Sequence, residues 1–205
     1  MIIAQGLACV RGDRLLFKNV SFELNAGALL YVLGENGSGK SSLLRILCGL
    51  AMPEDGEVFW DGKKIKEDAE SYLHNLTYIG HLNGLKDDLT ALENLQVSTS
   101  LAGYAADESS TLNALTAMGI ARCANLPARV LSQGQKRRVT LAKLWLTQSK
   151  LWILDEPFAA LDAVSVQVLA ERLGEHMAKG GTVIITSHQD VAINAQSIQT
   201  LRLSS

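Results

Sequence analysis

The residues richest in potential chemistry are Gly34-Glu35-Asn36-Gly37-Ser38-Gly39-Lys40-Ser41, with Ser42 behind them. They fit the pattern GxxxxGK[ST] and follow the apolar run Ala28 to Leu33, so strand, glycine loop and helix come in the order the pattern requires. Glycines at 34, 37 and 39 let the backbone curl until successive N–H groups point inward, which makes an anion nest at the start of the next helix. Phosphates fit such a nest for electrostatic reasons. Lys40 is expected to reach the β- and γ-phosphates of a nucleotide, and the Ser41 hydroxyl to sit on the Mg²⁺ that neutralises them.

A second concentration is Asp155-Glu156-Pro157, which ends the continuously apolar run Leu151-Trp152-Ile153-Leu154. A buried parallel strand delivers side chains in this way at its C-terminal edge. Two adjacent acids are costly to bury unless they are used. Downstream of a phosphate loop, Asp155 is placed to hold Mg²⁺ directly or through its water shell, and Glu156 to polarise the attacking water. A carboxylate in that role typically contributes roughly 10² to 10⁴ in rate. The competing explanation is a pair of acids capping the following turn, and the phosphate loop upstream weighs against it.

The elements that must position these groups can be read around them. Residues Ile2 to Val10 and Leu15 to Leu24 read as two extended segments joined by the turn Arg11-Gly12-Asp13-Arg14, and alternation in Val20-Ser21-Phe22-Glu23-Leu24 predicts a half-buried antiparallel strand. After the glycine loop a helix places Leu43, Leu44, Ile46, Leu47 and Leu50 at core spacing and is closed by Pro53 and Gly56. Glu57 to Gly62 reads as strand and turn, and Leu76 to Gly80 as a short apolar strand. From residue 84 to 142 the pattern turns helical. Thr90-Ala91-Leu92-Glu93 fits a capping box, Ala106 to Met118 a second helix, and Lys136-Arg137-Arg138 a solvated basic helix face, with Val139, Leu141, Leu144, Trp145 and Leu146 on its apolar side. A helix from Asp162 to Met177 buries Leu161, Val164, Val168, Leu169 and Leu173, and strands follow at Thr182 to Thr186 and near Ile198 to Leu203.

Length and composition bound the possibilities. A chain of 205 residues can bury a substantial core. Its 19 basic and 21 acidic side chains are nearly balanced, with no cluster that marks a nucleic-acid footprint, so no nucleic-acid partner is expected. The start Met1-Ile2-Ile3-Ala4-Gln5-Gly6 lacks the layout of a signal peptide and no apolar segment is long enough to span a bilayer, so a cytoplasmic location is expected. Cys9, Cys48 and Cys123 are odd in number and set among apolar residues, which predicts buried free thiols.

The string Leu131-Ser132-Gln133-Gly134-Gln135 adds a resemblance. With the two motifs above it resembles the LSGGQ signature of the nucleotide-binding subunits of ATP-binding-cassette transporters, Gln133 replacing the first glycine, and the resemblance runs over essentially the whole chain. Leu161-Asp162 resembles that family's D-loop and His188 its switch histidine. The resemblance implies an α/β fold: a P-loop NTPase, RecA-like core with an antiparallel β subdomain (residues 1–83 and 143–205) and a helical signature subdomain (84–142), together one ATP-binding domain.

It also implies a mechanism. Two copies pair head to tail, each ATP lying between one phosphate loop and the partner's signature. Ser132, Gly134 and Gln135 with Asp162 would then face the nucleotide held by the second copy, and Glu156, His188 and Lys40 would carry hydrolysis, with Mg²⁺ at Ser41 and Asp155. Two positions depart from the family. His81 stands where the family has the Q-loop glutamine, and can hydrogen-bond a metal-bound water as a neutral imidazole. Arg11 stands where an aromatic stacks on adenine; a guanidinium can lie on the base, or Arg11 can be an ordinary exposed loop arginine.

The strings Tyr78-Ile79-Gly80-His81, Leu89 to Leu95, Leu144-Trp145-Leu146 and Leu151 to Phe158 further resemble the ATPase subunits of cytochrome c maturation systems. That implies integral membrane subunits as partners, attachment at the cytoplasmic face of the bacterial inner membrane, and ATP use in haem export or in release of a haem-loaded periplasmic chaperone. The surface between His81 and Leu95 is a candidate docking site for a partner helix, and composition alone supports an ordinary mobile loop before a helix equally well. A subunit of another small-molecule exporter, a soluble non-transport cassette ATPase and a nucleotide sensor without turnover are the alternatives.

Overall fold

The strand expected before the glycine loop sits inside a five-stranded parallel sheet in the computed structural model, which describes residues 1–187 and 191–203. In chain order the elements are β1 (Ile2–Arg11), β2 (Arg14–Leu24), β3 (Ala28–Leu33), α1 (Lys40–Leu47), β4 (Asp55–Trp60), β5 (Lys63–Lys64), α2 (Ala69–His74) and β6 (Leu76–Ile79). They continue with α3 (Ala91–Leu101), α4 (Glu108–Ala117), α5 (Gln133–Ala142), β7 (Leu151–Leu154), α6 (Ala163–Ala178), β8 (Thr182–Thr186) and β9 (Ser197–Arg202). The parallel sheet has the order β6-β7-β8-β3-β9, and a four-stranded sheet of order β2-β1-β4-β5, antiparallel throughout, packs beside it.

Period-2 alternation assigns the faces of the parallel sheet. Leu30, Val32, Ile153 and Ile184 point into a core shared with Leu43, Leu44 and Leu47 of α1 and with the antiparallel sheet. Leu29, Trp152, Leu154, Val183 and Ile185 point to the other side, against α5, α6 and the helices between β6 and β7. The residues after β3, β6, β7 and β8 therefore emerge at one edge. Those are the glycine loop, Gly80-His81, Asp155-Glu156 and Ser187, collected where ligands bind in open parallel sheets.

Several expectations need correction. α1 is stopped by Gly49 rather than by Pro53 and Gly56: Gly49 adopts φ 71°, its N–H donates to Ile46 O and that of Leu50 to Arg45 O, closing a Schellman motif. Leu50 consequently lies beyond the helix and is 57% exposed, not core. Val164 in the first turn of α6 is 75% exposed, because the buried stripe is Leu169, Ala170, Leu173 and Met177. The helix expected through Trp145 ends at Ala142 and continues as a 3₁₀ turn, Lys143–Trp145. The short elements β5 and α2 were not foreseen. The Thr90–Glu93 capping box is formed in full, and a second one starts α5 at Ser132 and Gln135. All three cysteines are free, Cys9 and Cys48 buried and Cys123 half-buried.

Candidate nucleotide site

The glycine loop needs its glycines for space as well as for curvature. A Cβ at Gly34 would lie 2.5 Å from Ser38 Oγ and 2.8 Å from the Leu203 carbonyl, and one at Gly39 would lie 2.9 Å from the Phe17 ring. Gly39 is the N-cap of α1 with φ 97° and brings no capping side chain, so the first N–H groups of the helix remain available to an anion. Lys40 is buried, and its ammonium folds back over the loop to donate to Gly34 O at 2.8 Å and Glu35 O at 3.1 Å. Ser38 Oγ is buried with no protein partner. A buried, unpartnered hydroxyl beside a buried ammonium and free helix N–H groups fits a polyphosphate.

Above the loop lies an open cleft of ≈ 360 Å³, bordered by Arg11, Arg14 and Leu16 on one side, Asn36, Lys40 and Ser41 on the other, and Glu156. Gly37, Gly39 and Ser42 complete the loop-side wall. Arg11 and Arg14 are paired residues flanking the two-residue Gly12-Asp13 turn between β1 and β2, so both guanidinium-bearing chains reach the same cleft. Arg14 was missed in the sequence; antiparallel pairing across so short a turn is the signal that finds it.

Asp155 is buried directly after β7, where its N–H donates to Ile79 O at 2.8 Å. Thr186, at the end of β8, donates its hydroxyl to Asp155 Oδ1 at 2.7 Å and accepts the Glu156 N–H at 2.8 Å. Glu156 adopts φ 48°, the left-handed region that a non-glycine residue rarely occupies, and borders the cleft. His81, exposed, brings Nδ1 to 3.9 Å from Glu156 Oε2. Among the described residues no group of three or more histidines, cysteines and carboxylates could hold a metal alone. Mg²⁺ is suited to this donor set, since it is commonly bound through one or two protein oxygens plus waters and substrate phosphates, here Ser41 and Asp155.

The basic run corrects its expectation most clearly. Arg137 is 4% exposed rather than solvated, and donates to Gly80 O at 2.9 Å and to Asp155 O and Glu156 O at 2.8 Å each. Burial holds its pKa below the usual arginine range, partly opposed by the charges of Asp155 and Glu156.

The signature residues stand apart from the cleft of their own chain. Ser132 caps α5 by accepting the Gln135 N–H at 3.2 Å, while Gln135 Oε1 accepts the Ser132 N–H at 2.8 Å and Gln135 Nε2 lies 3.6 Å from Cys123 Sγ. The Gln135 side chain is thus engaged within its own subunit. A Cβ at Gly134 would meet the Ala160 carbonyl at 2.7 Å, so glycine here lets α5 approach the loop before α6. Asp162 caps α6 by accepting the Ser165 N–H at 2.8 Å and lies 3.7 Å from Arg138 Nη1; the hydrogen bonds from Ser165 and then the Arg138 charge hold its carboxyl below the usual range. His188, expected to join Glu156 in hydrolysis, lies outside the described residues.

The family model described as ABC transporter matches residues 17–159, which contain the glycine loop, the signature and the Asp155-Glu156 pair. The chain belongs to the ABC transporter family. It is 51% identical over 204 residues to a Nitrosomonas europaea protein named cytochrome c biogenesis ATP-binding export protein CcmA, covering 100% of this chain and 96% of that one. An Aromatoleum aromaticum protein of the same name is 53% identical over 191 residues, 93% of this chain and 89% of the other. Among solved structures, a dimeric ATP-binding cassette in a post-hydrolysis state with bound ADP and phosphate superposes with a TM-score of 0.85 at 25% identity, covering 100% of this chain and 97% of that one. The fold is that of the ABC ATPases, and the chain is an ATPase of this family.

Proposed function

We propose that this chain hydrolyses ATP at the cleft between its glycine loop and Glu156, as half of a head-to-tail pair, to drive separate membrane subunits of a c-type cytochrome biogenesis system. The observation that carries the hydrolytic part is the shared edge where Lys40 and Ser41 at the start of α1 lie near Asp155 and Glu156 at the end of β7. Identity of 51% and 53%, over 100% and 93% of this chain, to relatives named for cytochrome c biogenesis and export supports the system. Among the described residues no helix is long and apolar enough to cross a membrane, so the membrane path would belong to other chains.

The residue roles follow from chemistry. Lys40 neutralises the β- and γ-phosphates in place of the two loop carbonyls it now contacts. Ser41 and Asp155 would hold Mg²⁺, which would supply charge neutralisation for the phosphates. Glu156 accepts the proton of the attacking water while Thr186 and Arg137 hold its backbone. His81, with Nδ1 3.9 Å from Glu156 Oε2, would hydrogen-bond a metal-bound water. Ser132 and Gly134, exposed or near the surface at the start of α5, serve the phosphate held by the second copy, with the helix N-terminus aimed at it. His188 is assigned to hydrolysis by its place in the sequence.

Affinity recovery of the Glu156→Gln chain from detergent-solubilised membranes in the presence of ATP tests this. Integral membrane proteins of cytochrome c maturation are the expected companions. An unrelated permease would replace the system, and ribosomes would overturn membrane transport altogether.

A further inference from the structure

Arg137 lies in the middle of α5, yet its guanidinium leaves that helix and ends among three backbone carbonyls at the edge of the parallel sheet. One nitrogen, Nη1, donates to Gly80 O at 2.9 Å. The other, Nη2, donates to the consecutive carbonyls of Asp155 and Glu156 at 2.8 Å each. Carbonyl dipoles that converge with their negative ends need a compensating charge, and a planar fork of donors supplies it better than an ammonium. The side chain is 4% exposed, so water cannot take over these bonds without a cavity being opened.

The carbonyls it holds are those that decide where two functional side chains go. Gly80 is the residue before His81. Glu156 itself sits at φ 48°, a conformation costing a non-glycine residue of order 1–3 kcal/mol. Its two peptide groups are tied from opposite sides, the N–H by Thr186 Oγ1 and the C=O by Arg137 Nη2. The Glu156 carbonyl also accepts the Ala159 N–H at 3.2 Å from within its own turn, and the guanidinium, at 2.8 Å, is the shorter bond and the one that ties it to α5.

The same helix touches the following loop at two further points, Gly134 against the Ala160 carbonyl and Arg138 near Asp162. The segment from Glu156 to Asp162 is therefore gripped at its start, middle and end by α5. We propose that Arg137 is a positioning residue for hydrolysis: it locks the left-handed turn at Glu156 and so makes the geometry of the chain's own water-activating carboxylate depend on the seating of its signature helix. Resting on the proposed function, this links the two composite sites of the pair through one side chain. A signature helix drawn onto the partner's nucleotide carries with it the carbonyls that aim Glu156 and His81 at its own.

Single-turnover hydrolysis and equilibrium ATP binding of the full chain, wild type against Arg137→Gly, are the test. Misplacing a catalytic group by about 1 Å costs on the order of 100-fold, so hydrolysis should slow by about 10- to 100-fold while ATP affinity stays within about twofold. Added guanidinium ion should restore much of the rate, and urea or sodium chloride at equal concentration should not. Should the glycine variant fail to fold, Arg137→Gln keeps one pair of donors and should show an intermediate rate with an unchanged melting temperature.

A folded Arg137→Gly or Arg137→Gln chain that hydrolyses at the wild-type rate overturns the proposal. So does a loss of rate matched by an equal loss of ATP affinity and untouched by guanidinium. If the wild-type chain itself turned over no ATP, alone or with its membrane partners, the underlying functional reading would fall as well, which separates the two failures.

Discussion

Arg11 illustrates how much a single side chain can be asked to do. It borders the nucleotide cleft opposite the glycine loop, where a planar guanidinium can lie on a base, and truncating such a stacking contact costs about 1–3 kcal/mol. That corresponds to a loss in ATP affinity of roughly 5- to 150-fold. The phosphate contacts proposed for Lys40 and the loop N–H groups are untouched by the change. Arg11→Ala should therefore raise the ATP dissociation constant within that range and leave the single-turnover rate at saturating ATP unaltered; calorimetric titration beside quenched-flow hydrolysis measures both. A change in rate with no change in affinity would assign Arg11 elsewhere. Cys48, by contrast, does no chemistry in this reading, since burial first and the Asp155 charge second push its thiol far above the ordinary range and keep it un-ionised.

At the scale of elements, α6 carries a built-in acid sensitivity. His176 in its last turn stacks flat on Trp152 of β7, ring centroids 3.7 Å apart and planes 3° from parallel, with Arg172 over the same indole at 5.3 Å. Burial, helped by the Arg172 charge, pulls its pKa from 6.5 down to about 4. The unfolded chain thus takes up this proton before the folded one does. Stability from His176 is fully present above about pH 6.5, falls as pH drops below that, and is gone once pH passes the folded value, a loss of up to about 3 kcal/mol. Thermal unfolding followed from pH 7 to pH 4 should show this decline, and His176→Phe, which keeps the ring on Trp152 without a titrating group, should flatten it. An equal decline in both proteins would place the acid sensitivity in other groups.

For the whole molecule, the separation between the phosphate cleft and the signature residues is the decisive feature. Ser132, Gly134 and Asp162 do not border the cleft of their own chain, so if they serve ATP they do so for another copy. ATP that is bound but not hydrolysed should then join two chains by mass action. Sedimentation of Glu156→Gln should show a monomer without nucleotide or with ADP and a dimer with ATP, and Ser132→Arg in the same background should abolish the dimer. A monomer throughout would remove the paired site.

The elements themselves were largely legible because each announces itself locally. Alternation along β2, the continuous apolar run of β7 and the Thr90–Glu93 box before α3 are properties of neighbouring residues. So is the glycine loop, whose spacing alone specifies a backbone that can cradle phosphate. Errors fell where a residue's fate depends on something distant in sequence. Leu50 has helical spacing but lies past a Schellman stop at Gly49, and Val164 has it but is 75% exposed.

What the sequence determined by itself, then, was the list of chemical parts and the order of strands and helices, since motif spacing and periodicity act over a few residues. The tertiary structure alone decided which parts meet. It set Arg14 beside Arg11, brought Thr186 across from β8 to hold Asp155 and Glu156, and turned an apparently solvated Arg137 into a buried clamp on three carbonyls. Each of those contacts joins residues from different strands and helices, and only the packing of a parallel sheet that collects its loops at one edge supplies the partners.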